Sequence, residues 1–285
     1  MTAVTAVCAP ARAHALGEID ETITSGNIQR SYVLHIPTGY NGAKAMPLVL
    51  AFHGYGLSGR QMVDYTKFGA LADQRGFIVV SPDGTGTPQH WNWRKAVNEP
   101  DDVQFVTDLL TKLDADLCID PNMVFAAGFS DGAAMSRVLA CDLTNRIAAI
   151  ATISSPGVSC TAAVPMVAFH GSADPLVPFE GGVVPPEVGG GGTFAPVRRA
   201  VSEWSLALGC DGLATISRPA TTTELSTYVR CGRGDGEALL YTLLGGGHTW
   251  PGSTPLPIEQ FGPTNEDIDA TLISWEFFAA HPLVP

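Results

Sequence analysis

Residues 128–132 read Gly-Phe-Ser-Asp-Gly, a Gly-x-Ser-x-Gly pentapeptide. It follows an apolar run at 123–127 and precedes a helix-like run at 133–140. Strand, sharp turn and helix in this order are the context in which the pentapeptide forms a nucleophile elbow, with the serine hydroxyl exposed above a sheet. A chance match in a chain with 31 glycines is the alternative, and the flanking pattern disfavours it. Ser130 is therefore the candidate nucleophile.

A serine nucleophile needs an imidazole to accept its proton and a carboxylate to orient that imidazole. After an elbow of this kind the acid follows the serine along the chain, and the histidine follows the acid. Asp174 comes just after the apolar run 165–169, where the acid belongs. An Asx turn or a helix cap is the structural alternative, because Pro175 follows.

Two histidines follow Asp174 in the chain, namely His248 and His281. His248 lies in a glycine-rich segment at 245–252, directly after the apolar run 238–244, whereas His281 stands near the end of the chain. We therefore predict His248 as the base, with a purely structural loop histidine as the alternative.

An oxyanion hole needs two preorganised N–H donors. The residue after the nucleophile, Asp131, supplies one backbone N–H. We assign the second to the backbone N–H of Tyr55, in the segment His53-Gly54-Tyr55-Gly56 after an early buried strand, with Gly54 as the alternative donor. His53 and His170 are interpreted as structural residues.

Three tryptophans are candidates for substrate binding. Trp250 follows His248 by two residues, and Trp91 and Trp93 lie in a loop after a predicted strand. Exposed aromatic rings at the mouth of a site would stack on an aryl or sugar ring. Ordinary packing is the alternative for all three.

These residues need a scaffold, and apolar runs alternate with helical patterns along most of the chain. The predicted strands are 27–36, 48–53, 77–80, 123–129, 147–153, 165–169, 223–229 and 238–244; the predicted helices are 61–75, 101–117, 133–140, 196–208 and 265–279. This alternation predicts a single α/β domain, with a mostly parallel central sheet and helices on both faces. We expect an N-terminal extension at 1–24 and a catalytic domain at 25–285. The candidate residues would then meet at the carboxyl ends of the strands.

The Gly/Pro-rich segment 181–192 is the most irregular stretch of the chain. It is interpreted either as a surface loop near the mouth of the site or as a solvated connection with no role.

The net charge and the apolar pattern of the sequence argue against nucleic acid and against a membrane span. The net charge of −12 disfavours nucleic acid, because such a surface repels a phosphate backbone. The sequence contains no run of 18 apolar residues, the length that a membrane-spanning helix needs, so no membrane span is predicted. Monomer and dimer both remain open.

Six cysteines are present: Cys8, Cys118, Cys141, Cys160, Cys210 and Cys231. Their spacing does not predict a metal site, and an even count favours disulfides in an exported protein. Six cysteines allow 15 pairings. We favour local pairs, Cys141 with Cys160 and Cys210 with Cys231, and Cys8 with Cys118. Buried free thiols in a cytosolic enzyme are the alternative.

Ala13-His14-Ala15 has the small-x-small form of a signal-peptide cleavage site, although no basic start and long apolar core precede it. Residues 2–15 would then be the tail of a signal sequence. The favoured alternative is a mature chain to which Met1 was added.

Several short motifs occur together and in order: Arg30-Ser31-Tyr32, His53-Gly54-Tyr55-Gly56, Ser81-Pro82-Asp83-Gly84, Asp101-Asp102-Val103, the pentapeptide at 128–132, His170-Gly171 with Asp174, and Gly-Gly-His-Thr-Trp-Pro-Gly at 246–252. In this combination the chain resembles the poly(3-hydroxybutyrate) depolymerase/feruloyl esterase family of secreted esterases, related to carbohydrate esterase family one. The resemblance runs from about residue 25 to 280. It implies an α/β-hydrolase fold without a metal or organic cofactor, Ser130, Asp174 and His248 as the triad, and a disulfide between Cys210 and Cys231.

One departure from the family pattern is Asp131: many relatives carry Ser-Asn-Gly or Ser-x-Gly-Gly at the nucleophile, whereas this chain has Ser130-Asp131-Gly132-Ala133. A carboxylate there would raise the pKa of the base or disfavour anionic substrates. With this reservation, we expect a secreted serine esterase that acts on feruloyl (hydroxycinnamoyl) esters. Hydrolysis of poly(3-hydroxybutyrate) or aromatic polyester oligomers is the alternative. A non-catalytic binding protein of the same fold is disfavoured, because all three triad residues are present.

Overall fold

The computed structural model describes residues 15–155, 157–161, 163–186, 191–232 and 236–283. Its largest element is a sheet of ten strands: β1 (Gly17–Ser25), β2 (Ile28–Ile36), β3 (Met46–Phe52), β4 (Ile78–Pro82), β5 (Ile119–Phe129), β6 (Ala149–Ile153), β7 (Met166–Gly171), β10 (Thr215–Ala220), β11 (Thr223–Tyr228) and β12 (Ala238–Leu243). Two further strands, β8 (Gly182–Val184) and β9 (Gly192–Phe194), form a separate antiparallel hairpin.

The strand order of the large sheet is β1-β2-β4-β3-β5-β6-β7-β12-β11-β10. The central strands from β4 to β12 run parallel. The pairs β1–β2, β2–β4, β12–β11 and β11–β10 are antiparallel. The predicted mostly parallel central sheet is therefore confirmed, and antiparallel strands extend both of its edges.

The helices are α1 (Gly59–Thr66), α2 (Phe68–Arg75), α3 (Asp102–Asp116), α4 (Asp131–Asp142), α5 (Val197–Ala207), α6 (Ile258–Phe261) and α7 (Ala270–Ala280). Alternate residues of β3 divide between two apolar clusters: Leu48 and Leu50 pack in one with residues of α3, α4 and α5, whereas Val49 packs in the other with residues of α1, α2 and α7. Successive side chains of a strand point to opposite faces, so the two clusters are the two faces of the sheet. Because helices cover both faces, the central strands are continuous apolar runs, as predicted.

Two predicted helices differ from the structure. The helix expected at 61–75 is two helices, because Lys67 adopts a left-handed conformation with a φ of 56°. The last helix begins at Ala270 rather than 265, and the Asp269 side chain caps it by accepting the N–H of Leu272.

Strands β1 and β10 are not predicted, since both lie at edges of the sheet and carry many polar residues. β1 pairs with β2 over its full length, from Gly17 opposite Ile36 to Ser25 opposite Ile28. The division into an extension at 1–24 and a catalytic domain at 25–285 stays a prediction, and β1 begins before that boundary. The described ends of the 181–192 segment include β8 and the start of β9.

Disulfides join Cys141 to Cys160 and Cys210 to Cys231, which confirms two of the predicted pairs. The third predicted pair involves Cys8, which lies outside the described residues, as does the cleavage-site motif apart from Ala15. Across the described ranges, none of the helices has the length and apolar character that a bilayer crossing requires.

Candidate active site

Ser130 occupies a strained turn between β5 and α4. Its φ of 55° and ψ of −115° are unusual for a residue with a side chain, and its backbone N–H donates to the carbonyl of Ile153 at 2.8 Å. A Cβ at Gly132 would lie 2.2 Å from the carbonyl oxygen of Phe52, and one at Gly128 would lie 2.2 Å from that of Gly132. Both glycines of the pentapeptide are therefore required by close backbone approach, and the predicted strand, sharp turn and helix are present, while the role of Ser130 as nucleophile stays a prediction.

Asp174 and His248 are brought together by two adjacent parallel strands. Asp174 follows β7 and His248 follows β12, which pair in parallel along their whole lengths. The Nδ1 of His248 lies 2.8 Å from Oδ2 of Asp174. Because a carboxylate accepts and does not donate, Nδ1 carries the proton, which leaves Nε2 of His248 as an acceptor.

The environment keeps Asp174 ionised. Its Oδ1 accepts the backbone N–H groups of Leu176 and Val177 at 2.9 and 2.8 Å. Burial acts to raise the pKa of Asp174, but the charge and hydrogen bond of His248, with help from His170, hold that pKa below its usual value.

The His248 ring also contacts the elbow. It packs against Phe129, the residue immediately before Ser130, with the ring centroids 5.0 Å apart. Its backbone N–H donates to the carbonyl of Phe261 at 2.6 Å, which fixes the loop after β12. The three candidate residues thus lie at the carboxyl ends of central parallel strands, where a ligand site is expected. Ser130 follows β5, Asp174 follows β7 and His248 follows β12.

A second imidazole contacts the acid. His170 Nε2 lies 2.8 Å from the carbonyl oxygen of Val177 and 3.4 Å from Oδ2 of Asp174. Burial lowers the pKa of His170, so this ring is neutral at neutral pH. The interpretation of His170 as structural agrees with these contacts, but its approach to Asp174 was not anticipated. The i,i+4 spacing of the two residues was the available signal.

The segment 53–56 passes beside the nucleophile. A Cβ at Gly54 would lie 3.4 Å from the Cβ of Ser130. His53 Nε2 accepts the N–H of Gly84 at 2.9 Å, and Nδ1 lies 2.8 Å from the carbonyl of Gly54. Burial lowers the pKa of His53 to about 4, so the ring is neutral and orders the loop, in agreement with the sequence interpretation. Tyr55 follows Gly54 directly, and Asp131 begins α4, where the first N–H groups have no partner within the helix.

The three tryptophans have different environments. Trp93 is half-buried and lines a cavity of about 300 Å³, together with Tyr55, Asp131 and others. Trp91 also borders this cavity, but it is only 2% exposed, and its Nε1 donates to the carbonyl of His53 at 2.9 Å. The expected exposed ring is thus corrected to a buried wall for Trp91.

Trp250 is 1% exposed and does not lie at the mouth of the site. Its backbone N–H donates to the Tyr65 hydroxyl at 2.8 Å, its Nε1 donates to Oγ1 of Thr271 at 3.0 Å, and its ring packs on Phe68. The expectation of an exposed ring is therefore wrong for Trp250, and its contacts do not support a role in substrate binding. The ring fills the core below the histidine loop, because α2 and α7 pack against that side of the sheet.

The Asp131 carboxylate was expected to raise the pKa of the base or to disfavour anionic substrates; the structure shows that it has two hydrogen-bond donors as partners. Oδ2 accepts the backbone N–H of Trp91 at 2.8 Å, and Oδ1 accepts Nε1–H of Trp93 at 2.6 Å. Burial raises the pKa of Asp131 to about 7 despite these hydrogen bonds. The sequence spacing of about 40 residues gave no signal of this contact.

Within the parts of the chain that the structure describes, no cluster of three or more His, Cys, Asp or Glu side chains is arranged to hold a metal ion. The arrangement of Ser130, His248 and Asp174 suits nucleophilic acyl transfer by side chains of the protein itself.

A family model described as Esterase PHB depolymerase matches residues 30–176. Feruloyl esterase B of Piromyces equi is 31% identical over 230 residues, which are 77% of this chain and 42% of that protein. Feruloyl esterase C of Emericella nidulans is 33% identical over 174 residues, which are 57% of this chain and 62% of that protein. The chain thus spans less than two thirds of the length of these relatives.

Among solved structures, the acetyl xylan esterase from Aspergillus awamori superposes with a TM-score of 0.60 at 17% identity, covering 86% of this chain and 99% of that one. A thermostable esterase superposes with a TM-score of 0.59 at 16% identity, covering 93% of this chain. At such identities the likeness concerns the fold, and it confirms the predicted α/β-hydrolase architecture.

Proposed function

This chain belongs to the esterase PHB depolymerase family, and we propose that it hydrolyses carboxylic esters through an acyl-enzyme on Ser130. The observation that carries the proposal is the buried 2.8 Å hydrogen bond between His248 and Asp174, beside a strained serine elbow. A buried, ionised Asp174 fixes the tautomer in which His248 Nε2 accepts a proton.

In the first half of the reaction, His248 Nε2 takes the proton of the Ser130 hydroxyl as its oxygen attacks the ester carbonyl. The resulting oxyanion accepts the backbone N–H groups of Asp131 and Tyr55, and the N-terminus of α4 adds a favourable field. His248 then gives the proton to the leaving alcohol, and the acyl group remains on Ser130.

In the second half, water enters and loses a proton to His248 Nε2 as it attacks the acyl carbonyl. Collapse of the second tetrahedral intermediate releases the carboxylic acid and returns the proton to Ser130. Asp174 keeps its charge throughout, and it stabilises the imidazolium formed twice per cycle.

The substrate class we favour is the feruloyl, or hydroxycinnamoyl, ester. The support is the identity to two feruloyl esterases together with a cavity of about 300 Å³ that Trp93 and Tyr55 line beside the elbow. A second candidate is poly(3-hydroxybutyrate) or aromatic polyester oligomers, which the description of the matching family favours.

We also propose that the protein is secreted and that residues 25–285 form the catalytic domain, against whose strand β2 the strand β1 pairs. Two disulfides within 15–283 support an oxidising compartment, since such bonds are rare in the cytosol. The two disulfides agree with the expectation, drawn from the even number of cysteines, that the protein is exported.

The test of the function is hydrolysis of methyl ferulate, p-nitrophenyl butyrate and a hydroxybutyrate trimer by the wild type and by Ser130→Ala. We expect turnover of at least one ester and a loss of about three orders of magnitude or more in the variant. The relative kcat/KM values for the three esters identify the substrate class. A Ser130→Ala variant with full activity would overturn the triad, and a wild type inert on all three esters would overturn the esterase assignment.

A further inference from the structure

Asp131 places a carboxyl group beside the candidate nucleophile, where negative charge opposes the charge that develops in the transition state. The group is buried, at 4% exposure, which makes its ionised form costly. The carboxyl group is thus unfavourable both for the transition state and for folding. Its hydrogen bonds indicate what it contributes in return.

The two hydrogen bonds that Asp131 accepts come from a single loop. Trp91 donates its backbone N–H to Oδ2, and Trp93 donates its indole Nε1–H to Oδ1. The residue between them, Asn92, donates its backbone N–H to Oδ2 of Asp102 at 2.7 Å. Three consecutive residues are thus fixed by two buried carboxyls, one on α4 and one on α3.

The loop forms a wall of the cavity of about 300 Å³. Tyr55 and Asp131 line the same cavity, so it adjoins the proposed oxyanion hole. His90, Trp93 and Arg94 also line it, and the Arg94 guanidinium lies 4.1 Å from the centre of the Trp93 ring. A cavity of this volume and aromatic lining suits one aromatic acyl group.

We propose that the Asp131 carboxylate is a positioning residue that holds Trp93 as the wall against which the aromatic acyl group of the ester packs. The inference deepens the proposed function and rests on it, because it assumes acyl transfer to Ser130. Asp131 then has two separate parts: its backbone N–H faces the oxyanion, and its side chain sets the acyl cavity.

The chain offers two substitutions that disturb the contact between Asp131 and Trp93 from opposite ends. Asp131→Asn retains one acceptor oxygen but directs an amide N–H₂ at the other donor. Trp93→Phe keeps an aromatic ring and removes the Nε1 donor. Asp64→Asn on α1 is the matched control, since Asp64 is exposed and α1 packs on the face of the sheet opposite to Trp91 and Trp93.

The experiment is a double-mutant cycle on the full chain, measured with methyl ferulate and with p-nitrophenyl acetate, whose acyl group has no ring to pack on Trp93. For each single variant we expect KM for methyl ferulate to rise about tenfold, and the ratio of kcat/KM for ferulate over acetate to fall about tenfold. The double variant should resemble either single variant, because both changes act on the same contact between Asp131 and Trp93. Asp64→Asn should retain the wild-type ratio.

Additive losses of about a hundredfold in the double variant, or an unchanged ferulate-to-acetate ratio, would overturn the positioning role. If Asp131→Asn does not fold, the ratio in Trp93→Phe decides the question. Labelling of Ser130 by a fluorophosphonate separates the two proposals: labelling with an unchanged ratio refutes only the positioning role. A wild type that is neither labelled nor active refutes the esterase function itself.

Discussion

The two sides of Ser130 each contain a buried aspartate, and the two carboxyls have opposite properties. On the side of β7 and β12, Asp174 accepts from His248 and from two backbone N–H groups, and its pKa is lowered. On the side of the loop that carries Trp91 and Trp93, Asp131 accepts hydrogen bonds from these two residues, and its pKa is raised to about 7. Both residues are buried, so burial alone does not explain the difference.

The difference lies in the charge of the partners. An imidazole that can become a cation faces Asp174, whereas the Asp131 side chain accepts from an amide and an indole, which are neutral donors. Asp174 is therefore ionised throughout the neutral range and always orients His248. Asp131 titrates within that range, so the acyl cavity depends on a charge that the fold tolerates poorly.

The largest effect is expected from removing the charge of Asp174. Asp174→Asn should lower kcat for methyl ferulate by about 10³–10⁴, because a neutral amide neither fixes the tautomer of His248 nor stabilises its cation. Asp131→Asn is the same chemical change one residue from the nucleophile, and we expect it to act chiefly on KM. Steady-state kinetics at pH 7.5 on both variants measure the contrast. Equal losses of kcat in the two variants would contradict the division of roles.

An intermediate effect is expected from substituting two tryptophans, Trp250 and Trp93, which pack on opposite faces of the sheet. Trp250→Phe removes a buried indole and its hydrogen bond to Thr271, and it should lower the free energy of unfolding by about 2 kcal/mol, with KM for ester changed less than about threefold. Trp93→Phe should raise KM with a smaller loss of stability, since Trp93 is only half-buried. Urea unfolding and kinetics on both variants check this. A large KM effect in Trp250→Phe would restore Trp250 as a substrate contact.

Much of the fold could be predicted, because the central strands carry unbroken apolar runs and four of these runs end near a candidate residue. The edges could not be predicted. β1 and β10 pair with the sheet along one side only, and their polar residues resemble a loop pattern. The break at Lys67 was hidden as well, since α1 and α2 together have the periodicity of one helix.

The triad residues could be selected from chain order, since the elbow restricts which acid and which histidine follow it. The loop side of the site could not be predicted in this way. The contact between Asp131 and Trp93 joins residues 38 positions apart through side-chain orientation, which no local pattern records. For the same reason Trp250 was misplaced: nearness to His248 in sequence says nothing about which face of the loop its ring covers.

The smallest effect expected is on the pH dependence of stability. The pKa of Asp131 rises from 3.8 in the unfolded chain to about 7 in the folded protein, so between these values the folded state binds more protons. The contribution of this group to stability therefore falls as pH rises from 4 to 7. The charge of His90 lowers the pKa of this carboxyl and the charge of Asp102 raises it, and both residues are present in the wild type and in the Asp131→Asn variant.

Asp131→Asn has no such proton to lose, so the stability of the variant relative to the wild type should increase by about 1–2 kcal/mol between pH 6 and pH 8. Asp174→Asn should show almost no change over this interval, because the lowered pKa of Asp174 keeps that group ionised in both states there. Urea unfolding at the two pH values measures both differences, with Asp64→Asn as the control. A relative stability of Asp131→Asn that stays constant or falls with pH would mean that the charge of Asp131 is well tolerated, and the two carboxyls would then differ in geometry but not in energy.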